Sequence, residues 1–217
     1  AKWLTDEEKK ILQANIDSDT QHHVHSSLKE IFLQPRVWLL TLIYFCLIAG
    51  FYTIGFWLPT LIKDSGVKDV LSIGLLSAIP YGAAALTMIV VSRSADRWRE
   101  RRWHLALTAT LGGIGMIISA SFSDNIVIAM MGLTLGAMGA LSTLPLFWSL
   151  PTAFLGGTAA AAGTALINSW GNLAGFAAPY MMGYLKDLTQ STTTGMLIIS
   201  TMLFIGAALV FLVPAKT

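Results

Sequence analysis

Six long stretches of this 217-residue chain contain no Asp, Glu, Lys or Arg. A helix that crosses the bilayer core, about 30 Å thick, needs about 20 apolar residues, and the six stretches approach or exceed that length. They are residues 37–62, 71–92, 105–122, 126–155, 158–185 and 195–213. Because lipid offers no partner to an unpaired backbone N–H or C=O, such stretches fold as helices. The sequence therefore predicts an all-α membrane protein, a bundle of six transmembrane helices.

The composition agrees with this class and excludes others. Hydrophobic residues make up 54% of the chain and charged residues 12%, with a mean hydropathy of +0.65, which is too apolar for a soluble domain. The net charge of +2 comes from the segments between the spans, so no nucleic-acid partner is expected. No nucleophile–base pair, metal-ligand set or carboxylate pair can meet at one depth in the membrane. We therefore expect no enzyme activity and no bound cofactor.

The distribution of Lys and Arg predicts the orientation, because cytoplasmic loops carry an excess of both. Residues before the first span, between the second and third spans, and after the last span hold most of them. These are Lys2, Lys9, Lys10, Lys29, Arg36, Arg93, Arg97, Arg99, Arg101, Arg102 and Lys216. The opposite side holds only Lys63, Lys68 and Lys186. We expect a multi-pass protein of the cell membrane, in bacteria the inner membrane, with both termini cytoplasmic.

Residues 1–36 form a polar segment ahead of the first span. Thr5 and Glu8 have the spacing of a capping box, which predicts a short surface helix to about Ile16, followed by a linker. The chain begins at Ala1 rather than Met, and we expect a piece of a longer protein or a processed product.

Carboxamides are the strongest polar groups well inside a span. Asn168 and Asn172 both lie in 158–185, and their i,i+4 spacing places them on one helix face. Two interpretations stay open: contact with a substrate, or packing between helices, for which Gly171-x-x-x-Gly175 is also suited. No span contains an ionisable Asp, Glu, Lys, Arg or His, so this chain alone offers no buried partner for an ion.

Aromatic and hydroxyl groups on two other spans could line a polar cavity. The stretch 126–155 is about 45 Å long as a helix at 1.5 Å per residue, so a strong tilt or a break near Pro145 or Pro151 is expected. Trp148 and Ser149 follow Pro145, and Trp148 is either an interfacial anchor or a cavity wall. Tyr44 on the first span either bonds a neighbouring helix or contacts a ligand.

A charged clip joins the second and third spans. Residues 92–104 contain five arginines and two carboxylates between two apolar stretches, a feature typical of membrane transporters. Within the clip, residues 96–104 read Asp-Arg-x-x-Glu-Arg-Arg-Trp-His.

The clip resembles the motif between the second and third helices of each half in the major facilitator superfamily, although Ser92 and Arg99 stand where the superfamily form has Gly. The 96–104 variant resembles the anion:cation symporter branch more specifically. Four further segments, 56–60, 74–81, 151–155 and 163–176, fit the same branch. The chain is thereby identified as similar to the C-terminal half, helices 7–12, of a sugar-acid transporter of the galactonate, glucarate, tartrate or rhamnonate type.

The resemblance implies roles for the parts of the chain. Residues 1–36 would be the cytoplasmic linker between halves, and the six-helix region 37–217 would pair with an N-terminal six-helix half. The substrate, a small organic anion, would bind between the halves near the bilayer midplane, with H⁺ the expected coupling ion, and transport would proceed by rocking one half against the other. The carboxylate-binding arginine and protonatable acids would belong to the other half.

The resemblance also assigns residues. Asn168 and Trp148 fall where the family contacts its sugar acid, with Tyr44, Ser149 and Asn172 as further candidates. Asp96, Arg97, Arg93, Arg101 and Arg102 would form the cytoplasmic gate brace, with Asp96 facing a helix N-terminus of the other half. An alternative stays open: an independent six-helix protein that homodimerises into a carrier for neutral solutes, or serves as a membrane scaffold.

Overall fold

The computed structural model describes residues 5, 7–13, 32–154 and 157–214, and all regular structure among them is helical. From Pro35 onward, eight α-helices run in the order α1 (Pro35–Asp64), α2 (Val70–Trp98), α3 (Arg102–Ser121), α4 (Ile126–Phe147), α5 (Pro151–Phe154), α6 (Gly157–Gly171), α7 (Ala174–Thr189) and α8 (Thr193–Leu209), which a 3₁₀ turn at Val210–Leu212 extends. The predicted all-α class is confirmed.

Five of the described helical segments are long and apolar enough to cross a membrane: α1, α2, α3, α4, and α8 with its 3₁₀ extension. The remaining predicted span, 158–185, is not one helix but two, α6 and α7, separated at Asn172 and Leu173. At this break, two backbone hydrogen bonds join residues three apart, as in a 3₁₀ helix: Gly175 N–H donates to Asn172 O at 2.8 Å, and Phe176 N–H donates to Leu173 O at 3.1 Å. Neither piece alone is long enough to span the membrane, so α6 and α7 together form the fifth span in chain order.

The polar segment ahead of α1 keeps its predicted cap. Thr5 N–H donates to Glu8 Oε2 at 2.9 Å, and Glu8 N–H donates to Thr5 Oγ1 at 3.3 Å, which is the reciprocal geometry of a capping box. The Glu8 carboxylate accepts hydrogen bonds from the Thr5 backbone N–H and from the Thr5 hydroxyl, and these hold the pKa of Glu8 below its usual value. Residues 7–13 are helical, and the predicted end of this helix near Ile16 and the linker that follows it lie outside the described residues.

The break expected in the stretch 126–155 comes two residues after Pro145. The α4 helix ends at Phe147, and α5 begins at Pro151, a residue suited to the first position of a helix. Between them, the Ser149 hydroxyl donates to Leu146 O at 2.6 Å, so a side chain takes the place of the interrupted backbone ladder.

The closest helix pair, α3 and α4, meets along a seam of glycines: Gly112, Gly115, Gly132, Gly136 and Gly139. A Cβ placed on Gly132 would lie 2.5 Å from Ser119 N, and one on Gly112 would lie 2.9 Å from Ala140 N. Such distances are shorter than real Cβ contacts, so the two backbones touch without side chains between them. This is the small-residue packing that drives helix association in lipid.

The α1 helix is the central element of the bundle, and it packs against α4, α6, α7 and α8. In contrast, α2 packs mainly against α4 and exposes most of its length. The α8 helix joins α3 through a buried hydrogen bond from the Ser200 hydroxyl to Gly113 O at 2.8 Å.

Most of the charged clip is helical rather than a loop. The α2 helix continues to Trp98 and α3 begins at Arg102, so only three residues connect them. Glu100 caps α3, since its carboxylate accepts from the N–H groups of Arg102 at 2.8 Å and Trp103 at 3.2 Å. Arg99 ends α2 in the left-handed region, with φ 53°, where a non-glycine residue is disfavoured.

Opposite ends of the bundle carry different polar links. At one end, Arg102 Nη2 donates to Phe211 O at 2.8 Å, which places the clip beside the C-terminal segment. At the other, Lys186 of α7 pairs with Asp64 of α1 at 2.7 Å. Asp69 caps α2 there, and hydrogen bonds from the Ser72 hydroxyl and backbone lower its pKa.

We expect Gly115→Ala to lower the free energy of unfolding by about 2 kcal/mol or more, because the added methyl would overlap the backbone of Gly136 and neither helix can yield. Gly82→Ala is the matched control, since a Cβ at that position of α2 meets nothing within 4 Å. The stability of both variants is measured by thermal unfolding in detergent. Equal stability of the two would show that Gly115 is not needed for the close packing of α3 against α4.

We expect Arg99→Gly to raise the unfolding temperature, because glycine relieves a left-handed strain of roughly 1 kcal/mol. Arg99→Ala removes the same charge but keeps the strain, so it separates conformation from electrostatics. If both variants shift the unfolding temperature equally, the charge rather than the backbone is responsible.

Candidate functional site

An aromatic cluster lies where α1 meets the end of α4. Tyr44 is 4% exposed and stacks on Phe147, with ring centroids 4.7 Å apart and planes inclined by 26°. Trp148 meets the same tyrosine edge-on at 4.9 Å. Because α4 ends at Phe147, the break that follows Pro145 is what positions Trp148 against α1. Trp148 is therefore half-buried in a wall of three rings.

Two glycines beside the break between α6 and α7 leave room for the rings of two tyrosines of α1. A Cβ on Gly171 would overlap the Tyr44 ring, and a Cβ on Gly175 would lie 2.6 Å from Tyr52 Cε2. The Gly171-x-x-x-Gly175 spacing thus serves close packing, one of the two interpretations left open by the sequence. It brings the carboxamides of α6 and of the break next to the aromatic cluster.

The two asparagines are bonded to one another. Asn172 Nδ2 donates to the backbone oxygen of Asn168 at 2.8 Å and to its side-chain Oδ1 at 2.6 Å. The hydroxyl of Tyr52 lies 3.5 Å from Asn172 Oδ1. The oxygens of Asn168 are thereby occupied, and its exposed Nδ2 makes no hydrogen bond with the described residues.

This arrangement gives the asparagines different roles. Asn168 presents two N–H donors, which can bond the oxygen of a carboxylate or hydroxyl. Asn172 is half-buried, and its Nδ2 donates to both oxygens of Asn168. Ser149 is also half-buried, and its hydroxyl proton is spent on Leu146 O, so only its lone pairs could meet a ligand.

The site is uncharged. Asn168, Asn172, Tyr44, Trp148 and Ser149 are neutral at pH 7, and the spans that carry them contain no formal charge. Among the described residues, no group of three His, Cys, Asp or Glu could hold a metal ion. The arrangement can therefore recognise hydroxyl and carboxylate oxygens by hydrogen bonds and apolar ring faces by stacking, but it cannot neutralise an anion.

The clip residues separate into three groups by their contacts. Asp96 pairs with Arg101 at 2.5 Å within the clip itself, while Arg93 and Arg97 make no ion pair with the described residues. Arg102 contacts Phe211 in two ways. Its guanidinium donates a hydrogen bond to the Phe211 backbone oxygen, and it lies 5.8 Å from the centroid of the Phe211 ring. The candidate site and the clip are therefore distinct parts of the molecule.

Several participants could not be recognised from the sequence. Phe147 is an ordinary apolar residue of a membrane span, and only its contact with Tyr44 reveals a part in the site. Gly171 was visible as a packing glycine, but not as the seat of Tyr44. Trp170 of α6 meets Trp38 of α1 edge-on, with ring centroids 5.8 Å apart.

Comparison with known proteins supplies independent information. A family model described as Major Facilitator Superfamily matches residues 1–179, in agreement with the resemblance seen in the clip. The chain is 38% identical over its whole length to the "Putative metabolite transport protein NicT" of Pseudomonas putida and covers 50% of that protein. It is 37% identical to a "Putative tartrate transporter" of Agrobacterium vitis, again over its whole length and over 48% of that protein.

A third relative is the "Inner membrane transport protein RhmT" of Escherichia coli, 34% identical over 97% of this chain and 49% of its own length. The chain thus spans about half the length of these relatives. The family and these relatives are transporters, not enzymes, which confirms the expectation that this chain is not an enzyme.

We expect Gly171→Ala to displace Tyr44 from its seat and to disturb the stacked rings, because a methyl group there would overlap the tyrosine ring. Tryptophan fluorescence should change through Trp148, and the unfolding temperature should fall. Gly183→Ala is the control, since its Cβ would make an ordinary 3.6 Å contact with Trp57. Indistinguishable spectra and stability for the two variants would show that Gly171 does not hold the Tyr44 ring in place.

Proposed function

Because this chain belongs to the Major Facilitator Superfamily, we propose that it forms the C-terminal half of a membrane carrier that moves a small organic anion, a sugar acid or related carboxylate, by alternating access. The observation that carries this proposal is the exposed Asn168 amide, whose oxygens are held by Asn172 and whose N–H donors remain for an oxygen-rich ligand.

The aromatic wall beside Asn168 supports a sugar-like ligand. The half-buried Trp148 offers a ring against which the C–H groups of a polyhydroxylated chain can pack, while the amide bonds its oxygens. Tyr44 is buried and supports Trp148 from behind. We propose Asn168 and Trp148 as the contacts in this half and Asn172 as a positioning residue. Ser149 and Tyr44 complete the wall.

The absence of charge in the spans shapes the rest of the proposal. A carboxylate left unpaired in a low-dielectric cavity is costly, so a cationic partner must come from outside these six stretches. The relatives are twice as long as this chain, which leaves room for a preceding six-helix half. We propose that this half supplies the cation and the protonatable groups for H⁺-coupled symport.

The names of the relatives support the ligand class without fixing the ligand. One relative is named for tartrate, a small dicarboxylate that carries hydroxyls. We propose that the carrier lies in the inner membrane with both termini cytoplasmic, as the Lys and Arg distribution indicates. The ion pair of Asp96 and Arg101 then lies on the cytoplasmic side, where it could brace the two halves.

Substitution of Asn168 in the full-length gene product tests the site. Asn168→Ala should weaken binding of hydroxycarboxylates about 10-fold, because two hydrogen-bond donors are lost. Asn168→Asp should weaken it by at least about another 10-fold, because the new carboxylate repels an anionic ligand at short range. Binding is measured by calorimetry over a panel of aldonates, aldarates and the corresponding neutral polyols.

The control is Asn125→Ala, which changes a carboxamide that only caps α4 and should leave ligand binding unchanged. Equal losses for Asn168→Asp and Asn168→Ala, together with preference for the polyols, would favour a carrier of neutral solutes instead. Unchanged affinity in both Asn168 variants would return Asn168 to a packing role. Saturable, proton-driven uptake by the 217-residue chain alone would contradict the half-carrier proposal.

A further inference from the structure

A cavity of about 440 Å³ lies at the Arg-rich end of α2, and its lining is Arg93, Ser94, Arg97 and Trp98. Arg93 and Arg97 are one helical turn apart, so both guanidinium groups lie on the same face of α2. The indole of Trp98 is 73% exposed. Two cations, a hydroxyl and an amphipathic ring thus line one cavity.

The charges in this cavity are not neutralised by the nearby acids. Asp96 is taken by Arg101, and the Glu100 carboxylate caps the first turn of α3. Among the residues that the structure describes, neither Arg93 nor Arg97 makes an ion pair. The cavity is therefore electropositive, and guanidinium groups are well suited to bidentate contact with phosphate.

The same face of α2 continues as an apolar stripe. Leu75, Ile79, Leu86 and Val90 precede Arg93 at steps of three, four or seven residues, and their exposures are between 55% and 69%. At 1.5 Å per residue, Val90 and Leu86 lie roughly 5 and 10 Å along the helix from Arg93, within one leaflet of a bilayer core about 30 Å thick. A phosphate at the arginines would thus have acyl chains directly against exposed leucine and valine.

We propose that Arg93 and Arg97, with Trp98 beside them, hold the phosphate of an anionic lipid headgroup at this end of α2; the Ser94 hydroxyl already bonds His104 Nε2 at 3.0 Å and takes no part. The stripe favours a lipid over a soluble phosphate, because it places apolar surface beside the anion site on one helix face. This role differs from the gate brace that the resemblance implies for the two arginines, and it does not depend on which substrate is carried.

The test uses the 217-residue chain in nanodiscs of phosphatidylcholine with a minor fraction of phosphatidylglycerol, and native mass spectrometry measures the phosphatidylglycerol that stays bound. The double variant Arg93→Gln/Arg97→Gln should retain about 30-fold less, since it loses two charge-assisted contacts to the phosphate, each worth about a factor of five. Arg99→Gln, a loss of charge on the same clip but outside the cavity, should retain as much as the parent chain.

Two further arms keep the result decisive. Arg93→Lys/Arg97→Lys preserves the charge and should bind more lipid than the glutamine variant; equal loss in both, with unchanged thermal unfolding, would overturn the proposal. Excess inorganic phosphate should not displace the lipid, and full displacement would identify a site for soluble phosphate instead. Equal loss in Arg99→Gln would mean that only the general surface charge matters, which also overturns it.

The same measurement on the full-length gene product separates a lipid from a protein partner. Retained phosphatidylglycerol that depends on Arg93 and Arg97 supports the proposal. Its absence there would mean that the preceding half covers the arginines, and would overturn the lipid assignment without affecting the proposed carrier function.

Discussion

Hydrogen bonding of the backbone in lipid is the constraint on which this structure depends. An unpaired N–H or C=O in the hydrocarbon core costs several kcal/mol, so each interruption of a helix must be satisfied locally. Ser149 bonds Leu146 O where α4 ends. Between α6 and α7, backbone bonds from Gly175 N–H to Asn172 O and from Phe176 N–H to Leu173 O carry the ladder across the break.

The candidate site arises from those breaks. The turn after Pro145 brings Trp148 against Tyr44. At the second break, Asn172 bonds Asn168 one helical turn earlier. The polar groups of the candidate site thus lie beside the two interruptions of the regular structure.

The sequence predicted the helical class, the approximate positions of the spans, the break near Pro145 and the capping box of Thr5 and Glu8. It did not predict that 158–185 is divided, because Asn is tolerated inside helices, and its competition with the backbone depends on what surrounds it. It also presented the charged clip as a longer connection. There, Glu100 caps α3 and Arg99 accepts a left-handed conformation, so the two helices extend to within three residues of each other.

What the sequence determined by itself is where charge is excluded, and hence which stretches are buried in lipid and that a bound anion needs a cation from elsewhere. Those conclusions hold without coordinates, because the cost of a charge in hydrocarbon does not depend on the details of packing. Only the tertiary structure decided which neutral groups of different helices meet: Tyr44 with Gly171, Phe147 with Tyr44, Asn172 with Tyr52. Helical periodicity assigns a residue to a face, but the rotation of each helix and its choice of neighbour come from the close packing of the whole bundle.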